Sequence, residues 1–245
     1  MKNEIAPVKN IQRLSELAIE LRERPANQPG IATVTGESGV GKSTGLTWLT
    51  STKIDACYVR AMQVWSPSSM LATIARELDV DPANQLAKTC ERIVQELART
   101  GRTLLVDEAD YVVDNVRLIN TLRDLHDMST VPLVLVGMSD FAKKLRARID
   151  QKQFTGRVAF ELEFAPLDLA DMRTLVKSVA EIEIDDELLK ALFDQSKGIT
   201  RLACVGLGRI EAFAKKVDAR AVTAKMWGDR PLNAVTSAGR TKAAA

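Results

Sequence analysis

One eight-residue segment, Gly36 to Ser43, restricts the fold of this chain more than any other feature. Its sequence, Gly-Glu-Ser-Gly-Val-Gly-Lys-Ser, fits the pattern G-x-x-x-x-G-K-[ST]. It follows an apolar segment with strand character, Ile31 to Thr35, and it opens a segment with helical character. In a phosphate-binding loop, the backbone N–H groups of the turn and the positive end of the helix face the same anion. The pattern therefore predicts that the chain binds a nucleoside triphosphate.

The residue types in this loop have separate tasks in phosphate binding. Lys42 is expected to bring a mobile positive charge to the phosphates, and the Ser43 hydroxyl is expected to bind Mg²⁺. The residues expected to contact the nucleotide are Gly36, Glu37, Ser38, Gly39, Val40, Gly41, Lys42, Ser43 and Thr44.

A pair of acids ends a second apolar segment. Asp107 and Glu108 directly follow Leu104-Leu105-Val106, which has the character of a buried strand. An acid at the carboxyl end of a strand beside a phosphate loop can hold Mg²⁺ through water, and this is the role expected for Asp107. Glu108 is expected to polarise the attacking water as a general base. The two acids together predict an enzyme that hydrolyses the bound nucleotide.

Strands and helices are expected to alternate over the first two thirds of the chain. The expected strands cover residues 31–35, 54–61, 103–106, 131–136 and 158–164. The expected helices cover residues 9–24, 42–52, 67–78, 84–100, 115–127 and 140–149. Such alternation predicts an α/β fold, a parallel sheet with helices on both faces. Beyond Pro166 only helices are expected, at 168–181, 185–196, 200–216 and 219–227.

This pattern divides the chain into four parts. They are an N-terminal helix and linker (1–29), an α/β ATPase core (30–166), a small all-helical lid domain (167–227) and a mobile basic tail (228–245). The three cysteines fit neither a metal site nor a disulfide framework, which predicts a cytoplasmic protein. The chain also lacks the run of about 18 apolar residues that a membrane helix needs, so no membrane partner is expected.

Two arginines could act on the γ-phosphate from outside the loop. Arg157 precedes the last expected strand, where the nucleotide of a neighbouring subunit could meet it. A guanidinium supplied in trans would stabilise charge on that phosphate and make hydrolysis depend on assembly. Arg146 and Arg148 are alternatives for this role. Arg201 begins a helix after Gly198-Ile199-Thr200 and could report the γ-phosphate from the helical domain.

The phosphate loop, the Asp107-Glu108 strand end, the candidate trans arginine and the Gly198-to-Arg201 helix start together resemble the AAA+ ATPases over about residues 5–227. Within that superfamily the chain is most similar to the small DNA-transposition helper ATPases, the Mu-type B proteins and their TniB-like relatives. The narrower resemblance rests on four features of the sequence. They are the short N-terminal helix, the compact lid, Tyr58-Val59-Arg60 before a Ser-Pro helix, and Leu133 to Gly137 before a polar turn.

The resemblance implies a protein that binds ATP with Mg²⁺ and assembles with itself as a ring or helical filament on double-stranded DNA. It also implies that the assembly recruits and stimulates a transposase, and that hydrolysis releases the protein. Relatives carry a polar sensor residue after the fourth strand, for which Ser139 is the candidate here. Some Mu-type B proteins have an N-terminal DNA-binding domain, for which the 30 residues before Ile31 leave no room. We therefore expect the ATPase domain or the tail to bind DNA.

Basic residues are concentrated between positions 141 and 157, which hold six of them against one acid, Asp150. They are Lys143, Lys144, Arg146, Arg148, Lys152 and Arg157. Lys144 and Arg148 are four residues apart and share a helix face. Such a cluster can neutralise DNA phosphates irrespective of sequence, and Arg60 is a further candidate. The chain shows no helix-turn-helix or zinc-finger spacing, so recognition of particular bases is not expected.

Two other functions share some of these features. A helicase-loader-type replication ATPase would have the same fold and chemistry but would bind a helicase. A nucleotide-gated scaffold would bind protein rather than DNA and hydrolyse slowly, which the acid pair Asp107-Glu108 disfavours. A small-molecule kinase fits least, because Glu108 and the Gly198-to-Arg201 segment have no obvious use in one.

Overall fold

The computed structural model describes residues 1–25, 27–148 and 156–233. The chain forms two compact units. One comprises Asn10–Ala165, and the other comprises Met1–Lys9 together with the residues from Pro166 onward. The four-part division expected from the sequence stays a prediction.

The first unit has an α/β architecture. Its elements in chain order are α1 (Lys9–Glu23), β1 (Ile31–Gly36), α2 (Lys42–Thr52), β2 (Ala56–Arg60), α3 (Pro67–Glu77), α4 (Leu86–Thr100), β3 (Thr103–Asp107), α5 (Asp110–Val113), α6 (Val116–Ser129), β4 (Leu133–Val136), α7 (Phe141–Arg148) and β5 (Val158–Phe164). The short helix α5, which directly follows the acid pair, was not predicted from the sequence.

The five strands form one parallel sheet in the order β2-β3-β4-β1-β5. The inner strands β3 and β4 are buried at every residue, whereas every second residue of the edge strand β5 is exposed. The buried core lies between this sheet and the helices, with Ile74, Ile93 and Leu122 fully buried within it. The α/β fold class expected from the sequence is confirmed.

Local sequence signals set the ends of several helices. Helix α3 begins at Pro67 after Ser66, whose hydroxyl accepts a hydrogen bond from Ser69 N–H, as a capping residue does. Helix α4 ends where Gly101 adopts a left-handed φ of 67°. A side chain is disfavoured in that conformation, so glycine is the residue that most easily ends the helix there.

The second unit is mostly helical. Its elements are α8 (Leu169–Val179), β6 (Glu183–Ile184), α9 (Asp186–Ser196), α10 (Thr200–Lys216), β7 (Ala221–Val222) and α11 (Ala224–Trp227). Asp168 caps α8 and Asp185 caps α9, each accepting a backbone N–H at 2.8 Å. The sequence correctly indicated the three long helices.

The expected helix over 219–227 is wrong in its first half. Residues of β7 pair in parallel with β6, and Glu183 N–H donates to the Arg220 carbonyl at 3.0 Å. Val222 is fully buried in this pairing. The helix starts only at Ala224 because Thr223 caps it, accepting a hydrogen bond from Met226 N–H at 3.2 Å.

The first residues of the expected mobile tail, 228–233, are instead packed onto the helical unit. The Arg230 guanidinium lies 4.7 Å from the centre of the Phe213 ring, and Leu232 is 1% exposed. Asn233 Nδ2 donates to the Gln195 carbonyl at 2.9 Å. Burial of Leu232 and these polar contacts attach residues 228–233 to the helical unit. Residues 234–245 lie outside the described part of the chain.

None of the described helices combines the length and the apolar composition that a membrane-spanning helix requires.

Candidate nucleotide site

The predicted site residues lie at the ends of neighbouring strands. The phosphate loop follows β1, Asp107 ends β3, and Ser139 lies shortly after β4, which separates those two strands in the sheet. Arg60 ends β2, the strand that borders β3 on the other side. All strands are parallel, so these four carboxyl ends meet at one edge, where open α/β sheets bind ligands.

The phosphate loop has the backbone conformation that its glycines permit. Gly39 and Gly41 have φ of 84° and 97°, in the left-handed region that residues with a Cβ seldom adopt. Gly41 directly precedes α2, so the loop delivers its backbone N–H groups to the N-terminus of that helix. Loop amides and a helix N-terminus together form an anion-binding concavity. The segment therefore fits a phosphate group.

Lys42 is held over the loop that precedes it. Its Nζ donates to the carbonyls of Gly36 at 2.6 Å and Glu37 at 2.9 Å. Burial lowers the pKa of Lys42, while nearby carboxylates favour the charged amine. Those carboxylates belong to Glu108, Asp107, Asp110 and Glu37. A cation that is partly removed from water in this position is suited to an incoming phosphate.

The carboxylate of Asp107 is 2% exposed and accepts a hydrogen bond on each oxygen. Oδ1 accepts from Glu108 N–H at 2.9 Å, and Oδ2 accepts from the Tyr58 hydroxyl at 3.1 Å. Burial first, and then the charge of Asp107 and its hydrogen bond, raise the pKa of Tyr58 to about 12. The hydroxyl therefore stays protonated and donates. Each carboxylate oxygen retains acceptor capacity for a metal-bound water.

Glu108 is turned toward the neighbouring strand β2. Its φ is 55°, which is left-handed for a residue with a side chain. Its Oε1 accepts a hydrogen bond from Arg60 Nη2 at 3.2 Å, and the Arg60 side chain is 66% exposed. The expected general base is therefore bound by the residue that the sequence assigned to DNA.

Two further contacts connect the loops at this edge. The Ser139 hydroxyl donates to Glu37 Oε1 at 2.7 Å, which places the candidate sensor residue against the phosphate loop. Asp110 Oδ2 accepts from Met138 N–H at 2.7 Å, so the turn after β3 fixes the segment that carries Ser139.

The residues of this edge fit Mg²⁺ as a partner of a bound nucleotide. Across the described residues, no group of three or more His, Cys, Asp or Glu side chains could hold a metal ion by itself. Mg²⁺ keeps several waters and takes few protein ligands when it accompanies a nucleotide, so Ser43 and Asp107 are a sufficient donor set.

Comparisons with known proteins agree with this geometry. A family model described as an AAA domain matches residues 24–145, which include the phosphate loop, the acid pair and Ser139. The chain contains an AAA domain. No curated protein matches the chain.

Solved structures match the fold of the AAA domain and extend beyond it. The ORC2 protein of Aeropyrum pernix has 16% identity and a TM-score of 0.71, and the match covers 92% of this chain and 68% of that one. The ORC1 protein of Aeropyrum pernix in complex with DNA has 18% identity and a TM-score of 0.61, covering 90% and 63%. Domain III of the Thermotoga maritima replication initiation protein DnaA has 13% identity and a TM-score of 0.59, covering 91% of each chain.

This chain thus spans just under two thirds of the archaeal ORC1 protein. The similarity at these identities establishes a P-loop AAA+ fold. ATP with Mg²⁺ is the ligand of such a domain, and the phosphate loop, Ser43 and Asp107 are the residues here that fit it.

Arg157 lies at the amino ends of the parallel strands, whereas the phosphate loop of the AAA domain lies at their carboxyl ends. Its carbonyl accepts from Ile31 N–H at 3.1 Å, at the start of β1, and the loop follows the end of the same strand, roughly 16 Å away. Its Nε donates to Asp127 Oδ1 at 2.7 Å, beside a polar cleft of about 350 Å³. Arg157 therefore cannot reach the loop of its own chain, and a role in trans stays a prediction.

The remaining predicted residues are Arg201 and the basic cluster between positions 143 and 152. Arg201 belongs to the helical unit, and its role stays a prediction. On α7, Lys144 pairs with Asp140 at 2.8 Å, Arg146 pairs with Glu161, and Lys143 is exposed. Arg148 ends α7, and its side chain lies outside what the structure describes; Lys152 lies outside the described residues altogether.

Sequence reasoning missed two residues of this site, Tyr58 and Asp110. Tyr58 precedes Arg60 by two positions, so both side chains lie on one face of β2. That spacing could have revealed a pair of donors for the two acids. Asp110 stands three residues after Asp107, but only the fold shows that it binds the backbone after β4.

Proposed function

We propose that this chain is an ATPase that assembles on double-stranded DNA, recruits or activates a transposase, and leaves the DNA when ATP is hydrolysed. The contact between Arg60 and Glu108 carries the proposal. The Arg60 side chain is 66% exposed and that of Glu108 is 35% exposed, so a DNA phosphate can bind the same guanidinium that holds the general base. Such competition would connect DNA binding to hydrolysis.

The residues at the carboxyl edge divide the chemical work. The loop amides and Lys42 would bind the phosphates. Asp107 and Ser43 would hold Mg²⁺, which would neutralise charge on the phosphates. Glu108 accepts a proton from the attacking water once its carboxylate is free to turn toward it. While Arg60 donates to Oε1, the carboxylate is held toward β2.

Arg157 would complete the site from a second copy of the chain. Its place at the edge opposite to the phosphate loop supports this role, because chains stacked edge to edge would bring it to a neighbouring nucleotide. Its hydrogen bond to Asp127 would have to open, and both side chains are partly exposed. Exposed ion pairs of this kind are weak, so the guanidinium can exchange partners.

Lys143, Lys144 and Arg146 would provide contacts to the DNA backbone. Lys144 and Arg146 are paired with exposed acids, which reduces the charge they present. These exposed pairs also break at little cost, and a polyanion competes well for their cations.

A replication ATPase of the helicase-loader type is the second candidate. It is favoured by the similarity in fold to the two Aeropyrum pernix ORC proteins and to DnaA, one of which was solved in complex with DNA. The two candidates share ATP binding and differ in the assembly that ATP supports.

Electron microscopy of the purified protein on linear double-stranded DNA, with and without a slowly hydrolysed ATP analogue, tests the proposal. Filaments or rings on DNA that need the analogue, and that Lys42→Ala abolishes, are the expected result. Nucleotide binding without any assembly on DNA would contradict it and favour the loader. Turnover is then compared with a transposase or a replicative helicase added, because each candidate predicts stimulation by only one of them.

A further inference from the structure

We infer that Tyr58 is a positioning residue for Asp107, holding its carboxylate in the orientation that a hydrated Mg²⁺ requires. The inference rests on the proposed function, since it concerns the same nucleotide site. It adds a residue that neither the phosphate-loop pattern nor the acid pair contains.

The contact follows from the register of the sheet. Tyr58 lies beside Leu105, and Arg60 lies beside Asp107, where β2 pairs with β3. Residues two apart share a face of a strand, so Tyr58 and Arg60 both point toward the side that carries Asp107. The longer reach of the tyrosine ring brings its hydroxyl to Asp107 Oδ2 at 3.1 Å. Strand β2 thus provides one donor for each acid.

The burial of Asp107 gives this hydrogen bond its importance. Its side chain is almost fully buried, and its two oxygens accept hydrogen bonds from the Tyr58 hydroxyl and the N–H of Glu108. The N–H of Glu108 fixes the position of Oδ1. The Tyr58 hydroxyl at Oδ2 then restrains rotation of the carboxylate about the hydrogen bond at Oδ1. A carboxylate held at both oxygens presents its remaining lone pairs in a fixed direction. Hydrogen-bond partners orient metal-binding side chains in the same way in other proteins.

The chain provides a natural way to observe this contact, because it has only two tyrosines. Tyr58 is partly buried against Asp107, and Tyr111 is 45% exposed on α5. Protein labelled with ¹³C at the tyrosine Cζ, the carbon that bears the hydroxyl, should give two signals. Tyr58→Phe and Tyr111→Phe assign them by removing one signal each.

The test adds ADP to the labelled full-length chain, first with EDTA and then with Mg²⁺. When Asp107 shares its charge with hydrated Mg²⁺, it becomes a weaker acceptor for Tyr58, so the Tyr58 signal should move with Mg²⁺ and much less with ADP alone. The Tyr111 signal should change little at that step. A Tyr58 chemical shift that does not change when Mg²⁺ is added would overturn the inference.

Binding of a fluorescent ADP analogue across a Mg²⁺ series gives a second measurement that does not depend on turnover. The Mg²⁺ concentration for half-maximal binding should rise about tenfold in Tyr58→Phe, the low end of the loss on removing a partner of a metal-binding group. Tyr111→Phe is the matched control and should behave as the wild type. In an Asp107→Asn background, Tyr58→Phe should add little, because the two residues act through one contact.

The outcomes separate the two proposals. Equal Mg²⁺ dependence in Tyr58→Phe and wild type, with normal ADP affinity, overturns the role of Tyr58 and leaves the proposed function standing. A wild-type chain that binds no ADP at any Mg²⁺ concentration overturns both. Unchanged ADP affinity of Tyr58→Phe in EDTA shows that the variant is folded, so that a raised Mg²⁺ requirement supports the positioning role.

Discussion

Arg60 Nη2 lies 3.2 Å from Glu108 Oε1, so an exposed cation at the end of β2 is bound to the expected general base at the end of β3. The contact depends on the left-handed backbone of Glu108, φ 55°, which turns its side chain toward the neighbouring strand. Through this contact, DNA binding would be coupled to ATP hydrolysis.

Removing this cation should release the base. In Arg60→Ala we expect ATP turnover without DNA to rise, by about fivefold at most because an exposed ion pair is weak. Affinity for DNA should fall, and the salt dependence of binding should decrease by about one phosphate contact. Phosphate release and DNA binding at several salt concentrations measure both effects. Arg99→Ala is the matched control, because it removes another exposed arginine that is paired with a glutamate, Glu96 on α4. Unchanged basal turnover in Arg60→Ala would contradict the competition.

Glu108→Gln and Lys42→Ala should separate hydrolysis from binding. Glutamine keeps the acceptor for Arg60 but cannot take a proton, so turnover should fall by about a hundredfold or more while nucleotide binding persists. Glu108→Gln should therefore trap an ATP-bound assembly on DNA. Lys42→Ala should lose nucleotide binding itself. Phosphate release and binding of a fluorescent nucleotide distinguish the two. If Glu108→Gln turned over at the wild-type rate, Glu108 would not be the base.

Arg157→Ala should spare nucleotide binding by the isolated chain and lose the turnover of the assembled protein. An arginine supplied in trans typically contributes a thousandfold or more, so a loss of about a hundredfold is a conservative expectation. Turnover measured against protein concentration, with DNA present, is the readout. Arg173→Ala is the matched control, because that arginine is also exposed and ion-paired, with Asp186. Turnover unchanged by Arg157→Ala would end the proposed role.

The single histidine predicts a pH dependence of stability. His126 is buried, and its Nδ1 lies 2.6 Å from the Val131 carbonyl. Burial first, and then the neighbouring cations Arg24 and Arg157, lower its pKa, although the Val131 carbonyl and Asp127 act in the opposite direction. The folded state therefore prefers the neutral ring.

It follows that His126 supports the native state above its unfolded pKa of about 6.5 and that this support is lost as pH falls from there toward the lowered folded pKa. Urea unfolding followed by tryptophan fluorescence should give a lower free energy of unfolding at pH 5.5 than at pH 7.5. The difference should shrink in His126→Gln, whose amide can still donate to Val131. An equal difference in both proteins would show that other groups are responsible.

Two glycines of the helical unit should respond to alanine in opposite ways. Gly198 has a φ of 72°, and a Cβ there would lie 2.3 Å from the Leu167 carbonyl oxygen. Gly198→Ala should therefore destabilise the protein by about 2 kcal/mol or more. Gly208 lies within α10, and a Cβ there would meet only Met1 Sδ, at 3.8 Å. Gly208→Ala should stabilise the helix, by up to about 1 kcal/mol.

Urea unfolding curves of the two variants measure both changes under one set of conditions. A Gly198→Ala protein as stable as the wild type would mean that the turn before α10 can adopt another conformation. Correct folding of Gly208→Ala shows that substitution of glycine in this unit is tolerated where space exists.

Much of the architecture could be predicted because it follows from local sequence patterns. The phosphate loop, the apolar strand before Asp107 and the Ser66-Pro67 helix start depend on residues close together in the chain, and the structure has these elements where they were expected. The errors fall where distant contacts decide the conformation. Val222 enters a strand pairing with residues almost forty positions earlier, and Leu232 is buried in a segment whose composition resembles a flexible tail.

The sequence by itself determined the fold class, the phosphate loop and the acid pair, because glycine conformation, strand hydrophobicity and carboxylate chemistry are properties of neighbouring residues. Only the tertiary structure decided which strands lie side by side. The strand order brings Tyr58 to Asp107 and Arg60 to Glu108 across 49 and 48 positions of sequence. The parallel pairing of β5 with β1 places Arg157 at the amino ends of the strands, opposite to the phosphate loop. Register and strand order arise from packing of the whole sheet, and no local pattern encodes them.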